Sequence, residues 1–132
     1  MIERKYPQTR LRRTRMKDFL RDLVAENNLT TNDLIQPIFI AEQSEKKIEI
    51  PSMPSIYRHN LDSLYCEVEE LSNAGIKTIA IFPAIDSTQK DHQGSQALNE
   101  NNIVCSALRG LHERFPEVVK IADVALDPFT DH

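Results

Sequence analysis

The sequence is poor in glycine and cysteine and contains no long apolar segment. Its three glycines, Gly75, Gly94 and Gly110, lie outside any GxGxxG or P-loop pattern, which excludes a phosphate-binding glycine loop. Its two cysteines, Cys66 and Cys105, are too few and too far apart for a disulfide framework or a zinc cluster, and we interpret them as packing residues within helices. No apolar run approaches the ~20 residues that cross a bilayer, and the basic start has no apolar region typical of a secretory signal. These absences predict a cytoplasmic protein that binds no membrane.

Charge is distributed unevenly along the 132 residues. Residues 1–17 carry seven basic side chains and one acid, Glu3, a net charge of +6, whereas the remainder carries nine basic and nineteen acidic side chains, a net charge of −10. A basic arm ahead of an acidic body is able to bind nucleic acid or to dock on a neighbouring subunit. Because only Tyr6 is available for base stacking and no helix-turn-helix or zinc pattern follows, we expect no nucleic-acid binding and favour an oligomer-building or anion-holding arm.

Apolar periodicity predicts three helices and three strands. The predicted elements are a short helix within 16–28, strands over 34–40, 77–83 and 118–126, and helices over 61–74 and 103–115. Asn60 is expected to cap the second helix and Gly75 to end it. Pro37 inside the first strand indicates either an edge position or a locally unpaired backbone position. The long loop 41–59 leaves room for a short hairpin around KIEI, residues 47–50.

Near-continuous apolar strands that alternate with amphipathic helices are typical of parallel βαβ units. The strand-to-helix loops are long and the helix-to-strand turns are short, so the carboxyl ends of the strands are the expected working face. Three strands do not close a barrel, and they leave the third strand with a free edge. Since a (β/α)8 barrel takes ~250 residues, we predict the first three βα units of a TIM barrel in residues 31–132, after a basic arm and short helix in 1–30. A complete small open sheet is the alternative.

Few residues carry recognisable chemistry. The sequence has no GxSxG elbow and no His-Glu-x-x-His pair. Lys77 and Lys120 lie near the amino-terminal ends of strands, so neither is a good candidate for a Schiff-base nucleophile. Asp123 lies at the mouth of the third strand, where a buried carboxylate is costly unless it is paired, hydrogen-bonded or metal-bound, and this favours a functional role. For Asp127, a turn or capping role is equally open.

Six segments together resemble the porphobilinogen synthase (5-aminolevulinate dehydratase) family. They are LRRTR, DLIQPIFI, IPSMPSIYR, GIKTIAIFP, DHQGSQALNENN and DVALDPFTDH, in the family's order and at about its spacing. The resemblance implies a TIM barrel whose N-terminal arm wraps a neighbouring subunit, typically in an octamer. It also implies a lyase that condenses two molecules of 5-aminolevulinate to porphobilinogen in tetrapyrrole (heme) biosynthesis. The family's two Schiff-base lysines lie on later strands, so residues 1–132 are expected to be inactive alone.

The resemblance also assigns residues to the site. Asp123 matches a catalytic aspartate beside the substrate amino group, where it would orient that group and take part in proton transfer. Phe82 matches an aromatic of the pocket wall, although plain core packing explains it equally well. Ala125 and Asp127 stand where zinc-dependent members have cysteines, so zinc is not expected at this loop. Asp127 is the candidate metal ligand, and Mg²⁺ or a monovalent cation is the expected ion in the full-length enzyme. No organic cofactor is expected.

Two departures from the family pattern concern loop detail. Ser55 stands where a glycine often follows the second proline, and Asp131 stands where serine or threonine is common.

A non-catalytic function is the alternative hypothesis. On this interpretation the chain is an α/β binding or regulatory module that associates through its basic arm. A reading frame that continues beyond codon 132 into a His-Gly pair and two later strand-end lysines would favour the enzyme, and a stop codon there would favour the module.

Overall fold

The computed structural model describes residues 4–131, so Glu3 and His132 lie outside the described residues. The chain divides into two compact units, Met1–Thr30 and Thr31–His132. In the first unit a 3-10 turn, Arg13–Arg15, precedes helix α1, Asp18–Leu23, which has no buried residue. The predicted helix is correct in type, but it is short because Val24 already leaves helical geometry.

The second unit is a five-stranded sheet with two helices. Its strands are β1 (Gln36–Ala41), β2 (Lys47–Glu49), β3 (Tyr57–His59), β4 (Thr78–Ala84) and β5 (Val119–Ala122), and its helices are α2 (Leu61–Asn73) and α3 (Ile103–Arg114). The strand order is β2-β3-β1-β4-β5. Every pair is parallel except β2 and β3, which form an antiparallel hairpin. The three predicted parallel strands and two crossover helices are confirmed, and so is the hairpin at KIEI. The sequence did not reveal that β3 would pair with β1.

Helix α2 begins and ends where its capping residues predict. The Asn60 side chain accepts a hydrogen bond from the backbone N–H of Ser63 at 3.0 Å and satisfies one free donor of the first turn. At the other end Gly75 has φ +88°, a left-handed conformation that side chains rarely adopt. The N–H of Ile76 then donates to the carbonyl of Leu71 at 2.9 Å, which closes a Schellman motif and turns the chain towards β4.

The hydrophobic core lies between one face of the sheet and helices α2 and α3. Alternate residues of a strand point to opposite faces, so the buried isoleucines of β1 and β4 share one side. The buried core residues are Ile38, Ile40, Leu64, Val68, Ile79, Ile81, Ile103, Ala107, Leu111 and Val118. This packing fixes the orientation of the parallel strands, and therefore the position of the loops at their carboxyl ends.

The opposite face of the sheet stays open among the described residues of the second unit. On β5, Val119 is 57% exposed and Ile121 is 42% exposed, and Val124 beyond the strand is fully exposed. The prediction of a third buried strand over 118–126 is therefore wrong in length and in burial. Within residues 31–131 the strand pairs only with β4, and no described helix of this unit covers its second face. The predicted free edge is confirmed.

Two local interpretations also change. Pro37 is not on an edge strand, because β1 has neighbours on both sides. It does lie outside the pairing with β3, which joins β1 only at Phe39 and Ile40, and this agrees with a locally unpaired backbone. Cys66 is exposed on α2, so the packing interpretation is wrong for it, whereas Cys105 is half-buried. Within residues 4–131 no helix is long and apolar enough to cross a membrane.

Candidate functional site

Three loops come together at the carboxyl edge of the parallel strands. Between the loops after β1 and β4, the Gln89 side-chain amide donates to the Glu42 carboxylate at 3.2 Å. Between the loops after β4 and β5, the N–H of Asp91 donates to the carbonyl of Phe129 at 3.3 Å. Ligand sites of parallel α/β proteins form at this edge because the loops there converge. The predicted working face is therefore a connected surface in this chain.

Asp123 is the first residue after β5 and lies at this edge. Its side chain is exposed, so the expectation of a buried carboxylate at the mouth of the strand is wrong. The reason is the open sheet face, which leaves the end of β5 in contact with solvent. An exposed carboxylate is free to accept hydrogen bonds from a cationic group. Its catalytic role stays a prediction.

Phe82 lies within β4, two residues before the end of the strand, and is half-buried. Its ring meets that of Phe39 across the β1–β4 pair, with the centroids 5.9 Å apart. Both rings alternate with the isoleucines that pack under the helices, so they lie on the open face of the sheet. Packing in the core beneath α2 and α3 is thus excluded for Phe82. A place in a pocket wall stays a prediction.

Asp127 begins a one-turn 3-10 segment, Asp127–Phe129, and is exposed. Its backbone carbonyl accepts a hydrogen bond from the Thr130 hydroxyl at 3.4 Å, which supports the turn role that the sequence left open. The part of the chain that the structure describes contains no group of three or more His, Cys, Asp or Glu side chains able to hold a metal ion. Ala125 has no ligand atom, so these residues do not fit a thiolate zinc site. Asp127 as a metal ligand stays a prediction.

Asp91 is a functional candidate that the sequence interpretation missed. Its carboxylate accepts hydrogen bonds from the backbone N–H groups of Ser95 at 3.0 Å and Gln93 at 2.9 Å. Hydrogen bonds from the backbone and hydroxyl of Ser95, assisted by Gln93 and Gly94, hold the pKa of Asp91 below its ordinary value. An aspartate three residues before a glycine is a turn signal, and DHQG carries it, so the sequence could have revealed this residue.

Asp86 forms a smaller turn of the same kind at the start of this loop. The Thr88 hydroxyl donates to its carboxylate at 2.6 Å and the Thr88 backbone N–H donates at 2.9 Å. These two bonds lower the pKa of Asp86. The turn ends β4 and directs the chain away from the sheet.

His59, also missed, joins the β2–β3 hairpin to α2. The side chain is buried, and its Nδ1 lies 3.0 Å from the hydroxyl oxygen of Ser63. That hydroxyl donates its only proton to the carbonyl of Lys46 at 2.5 Å. The Ser63 oxygen can therefore only accept from His59, so the neutral ring carries its proton on Nδ1. Burial lowers the pKa of His59, and Lys47 acts in the same direction against the opposing effects of Glu67 and the Ser63 hydrogen bond.

We expect the free energy of unfolding to fall as the pH drops below the ordinary histidine value of about 6.5. In this window the unfolded state binds more protons at His59 than the folded state, so stability rises with pH and the His59 contribution is complete above that value. The measurement is urea unfolding between about pH 5 and about pH 8, with His59→Asn, whose amide keeps the donor position. His59→Asn should flatten the pH dependence. An equal slope in the wild-type protein and His59→Asn would contradict the assignment.

Comparison with known proteins identifies the scaffold. The sequence model of the delta-aminolevulinic acid dehydratase family matches residues 8–132. The chain belongs to this family. A relative from Bradyrhizobium diazoefficiens, named delta-aminolevulinic acid dehydratase, is 44% identical over 93% of this chain and 35% of its own length. One of the same name from Chlamydia pneumoniae is 41% identical over 93% of this chain and 37% of its own.

A solved member of the family confirms the fold. The crystal structure of delta-aminolevulinic acid dehydratase (porphobilinogen synthase) from Toxoplasma gondii, in complex with the reaction product porphobilinogen, superposes with a TM-score of 0.85. It is 37% identical and matches 94% of this chain but 35% of its own chain. The chain thus spans about a third of the length of these relatives. Its fold is the N-terminal portion of the family's TIM barrel, as predicted.

Proposed function

We propose that this chain is the N-terminal part of a porphobilinogen synthase, a hydro-lyase that condenses two molecules of 5-aminolevulinate to porphobilinogen in tetrapyrrole biosynthesis. The observation that carries the proposal is the family match across residues 8–132, together with the superposition on a relative in complex with porphobilinogen. The connected loops at the carboxyl edge supply the surface on which such a site is built.

In this proposal Asp123 is the catalytic residue of the segment. Its exposed carboxylate at the end of β5 accepts hydrogen bonds from the substrate amino group, which orients that group. The same carboxylate takes up a proton when the amino group must act as a nucleophile, and it returns the proton later. Phe82, on the open sheet face beside Phe39, provides an apolar wall.

Residues 1–132 supply only part of this site, and we propose that they are inactive alone. Schiff-base chemistry requires a free lysine amine, and by family resemblance both Schiff-base lysines lie on later strands. The Lys120 side chain donates to the carbonyl of Phe115 at 2.5 Å, at the end of α3, and is not free for this role. Lys77 precedes β4, at the opposite edge of the sheet from Asp123. The open sheet face and the free β5 edge are where the remaining strands of the barrel would pack.

The test is porphobilinogen formation from 5-aminolevulinate by the full-length polypeptide that contains residues 1–132, compared with residues 1–132 expressed alone. We expect product from the full-length protein and none from the segment. A full-length protein that forms no product with Mg²⁺ or with Zn²⁺ would overturn the proposal. Product from the segment alone would overturn the claim that it is incomplete.

We propose that the arm assembles the protein into a homo-oligomer, an octamer by family resemblance. The arm is strongly basic, and it exposes apolar side chains in Leu11, Phe19 and Leu23. A concentration of large exposed apolar side chains within a short stretch of chain is typical of an interaction surface. The full-length protein without residues 1–30, the basic arm together with helix α1, should therefore form a smaller assembly, measured as native mass by light scattering. An unchanged mass would contradict this role.

We expect catalysis by the full-length protein to be independent of zinc. Ala125 and Asp127 offer at most one oxygen ligand where thiolates would select Zn²⁺, and an oxygen donor suits Mg²⁺ instead. A zinc-selective chelator should leave the rate unchanged, and Asp127→Asn should raise the Mg²⁺ concentration needed for half-maximal activity. Activity that requires Zn²⁺ would contradict the metal assignment. An unchanged Mg²⁺ response in Asp127→Asn would remove Asp127 as a ligand.

A further inference from the structure

The loop after β4 holds the loop after β5 through a compact set of contacts. The first contact is the backbone bond from the Asp91 N–H to the Phe129 carbonyl at 3.3 Å. The second is between His92 and Asp131, whose Nδ1 and carboxylate oxygen lie 3.0 Å apart. Phe129, between these two contacts, is 5% exposed. Two polar contacts and the buried Phe129 side chain therefore join the two loops.

Gly94 brings the two loops into close contact. It is buried and has φ +62°, and a Cβ built on it would lie 3.4 Å from the Thr130 methyl and 3.6 Å from the Phe129 Cβ. The backbone of the turn is thus packed against the side chains of the loop after β5. A side chain here would be strained by the positive φ and would press on that loop.

The Asp91 carboxylate holds this turn in shape. Its bonds to the N–H groups of Gln93 and Ser95 fix both sides of Gly94, and the Gly94 N–H donates to the Asp91 carbonyl at 3.2 Å. Without the carboxylate, two N–H groups lose their acceptor and the glycine is free to leave its left-handed conformation. Asp91 does not reach the end of β5 itself, so any effect on that end passes through the loop contacts.

We propose that Asp91 is a positioning residue, and that the turn Asp91–Ser95 is a clamp that fixes the Asp123–Asp131 loop. This inference rests on the proposed function where it concerns catalysis. The clamp fixes the position of the Asp127–Phe129 segment. This segment lies in the same loop as Asp123, so its position limits how far Asp123 can move. A displacement of about 1 Å at a reacting group lowers a rate by up to about a hundredfold, so a loosened clamp acts on turnover.

The experiment compares Asp91→Ala with Asp91→Asn in the full-length protein. Asn keeps an oxygen that accepts the same N–H bonds, so it should restore the behaviour that Ala loses. The Phe129 amide donates to the Leu126 carbonyl at 2.8 Å within the clamped segment. In Asp91→Ala we expect this amide to exchange with deuterium about tenfold faster, because the segment opens more easily when the turn no longer holds it. We expect kcat for porphobilinogen formation to fall about tenfold to a hundredfold with a smaller change in KM.

Two further variants make the test specific. His92→Ala removes the contact to Asp131 and leaves the turn intact, so it should produce a smaller effect in the same direction even if Asp91→Ala fails to fold. Asn99→Ala is the matched control, because the Asn99 side chain accepts from the Asn101 N–H at 2.9 Å in an equivalent turn of the same loop. It should leave the exchange of Phe129 and kcat unchanged.

Unchanged exchange of the Phe129 amide in both Asp91→Ala and His92→Ala would overturn the clamp. Faster exchange with unchanged kcat would overturn the positioning role. A wild-type protein that forms no porphobilinogen would instead overturn the proposed function, and the exchange measurement would still decide whether the clamp exists.

Discussion

Replacement of Asp123 by alanine is expected to lower kcat for porphobilinogen formation by the full-length protein by about 10²–10⁴-fold, the contribution typical of a positioned acid or base. The carboxylate directly follows β5 and is exposed at the loop edge, so its removal takes away a proton acceptor without opening a cavity. Steady-state kinetics check this expectation, and urea unfolding on the same preparation establishes that the variant is folded.

Two control variants accompany Asp123→Ala, one at the same position and one at a distant exposed carboxylate. Asp123→Asn keeps the size of the side chain and one acceptor oxygen but loses the negative charge and the ability to take up a proton. We therefore expect its kcat to be nearly as low as that of Asp123→Ala. Glu113→Gln removes an exposed carboxylate near the carboxyl end of α3, which lies at the opposite end of the strands from the loops, and should keep the wild-type rate. A fully active Asp123→Asn would show that the carboxylate only orients substrate. A fully active Asp123→Ala would remove it from the mechanism.

Leu111→Ala is expected to lower the free energy of unfolding of the full-length protein by about 2–5 kcal/mol, the range for a buried leucine truncated in a core that collapses only partly. Leu111 has no exposed surface and belongs to the cluster that seats α3 on the sheet. The loss combines the transfer of its side chain to water with the cavity left behind. Urea unfolding measures it as a shift of the midpoint at constant slope.

Leu98→Ala is the matched control for this substitution. Leu98 is 85% exposed, so the same atoms are removed where they contact almost nothing, and the change should stay within about 0.5 kcal/mol. A Leu98→Ala effect as large as that of Leu111→Ala would contradict the assigned core. Such a result would mean that Leu98, in the loop before α3, makes an apolar contact that stabilises the protein.

The sequence predicted the parallel scaffold well because its signals are local and periodic. Asn60 and Gly75 bracket α2, and the isoleucines of β1 and β4 alternate in a way that only a two-sided strand explains. The burial of β5 could not be predicted in the same way. Val119 and Ile121 look like core residues by composition, yet their burial depends on elements that this unit does not contain.

The candidate site was predictable in place but not in detail. Strand and loop order alone place Asp123 and Asp127 at the carboxyl edge of the sheet, where the structure also has them. The link between Asp91 and Phe129 joins residues far apart in sequence, and no period or propensity encodes such a contact. His59 was equally hidden, because its environment comes from a hairpin carbonyl and a helix hydroxyl that meet only in the folded chain.

The free edge of β5 has a consequence for how this protein is made. Each parallel strand after β1 pairs with one that precedes it in synthesis, β3 and β4 with β1 and β5 with β4. The ribosome adds about 5–20 residues per second, so every new strand emerges seconds after its template is available. The free edge of β5, which is open to pairing with other chains in residues 1–132 alone, is thus the place where the nascent chain extends its sheet. Pauses in translation after β5 has left the ribosome would prolong the time for which Val119 and Ile121 are open to other chains, and chaperone capture should be strongest in that interval.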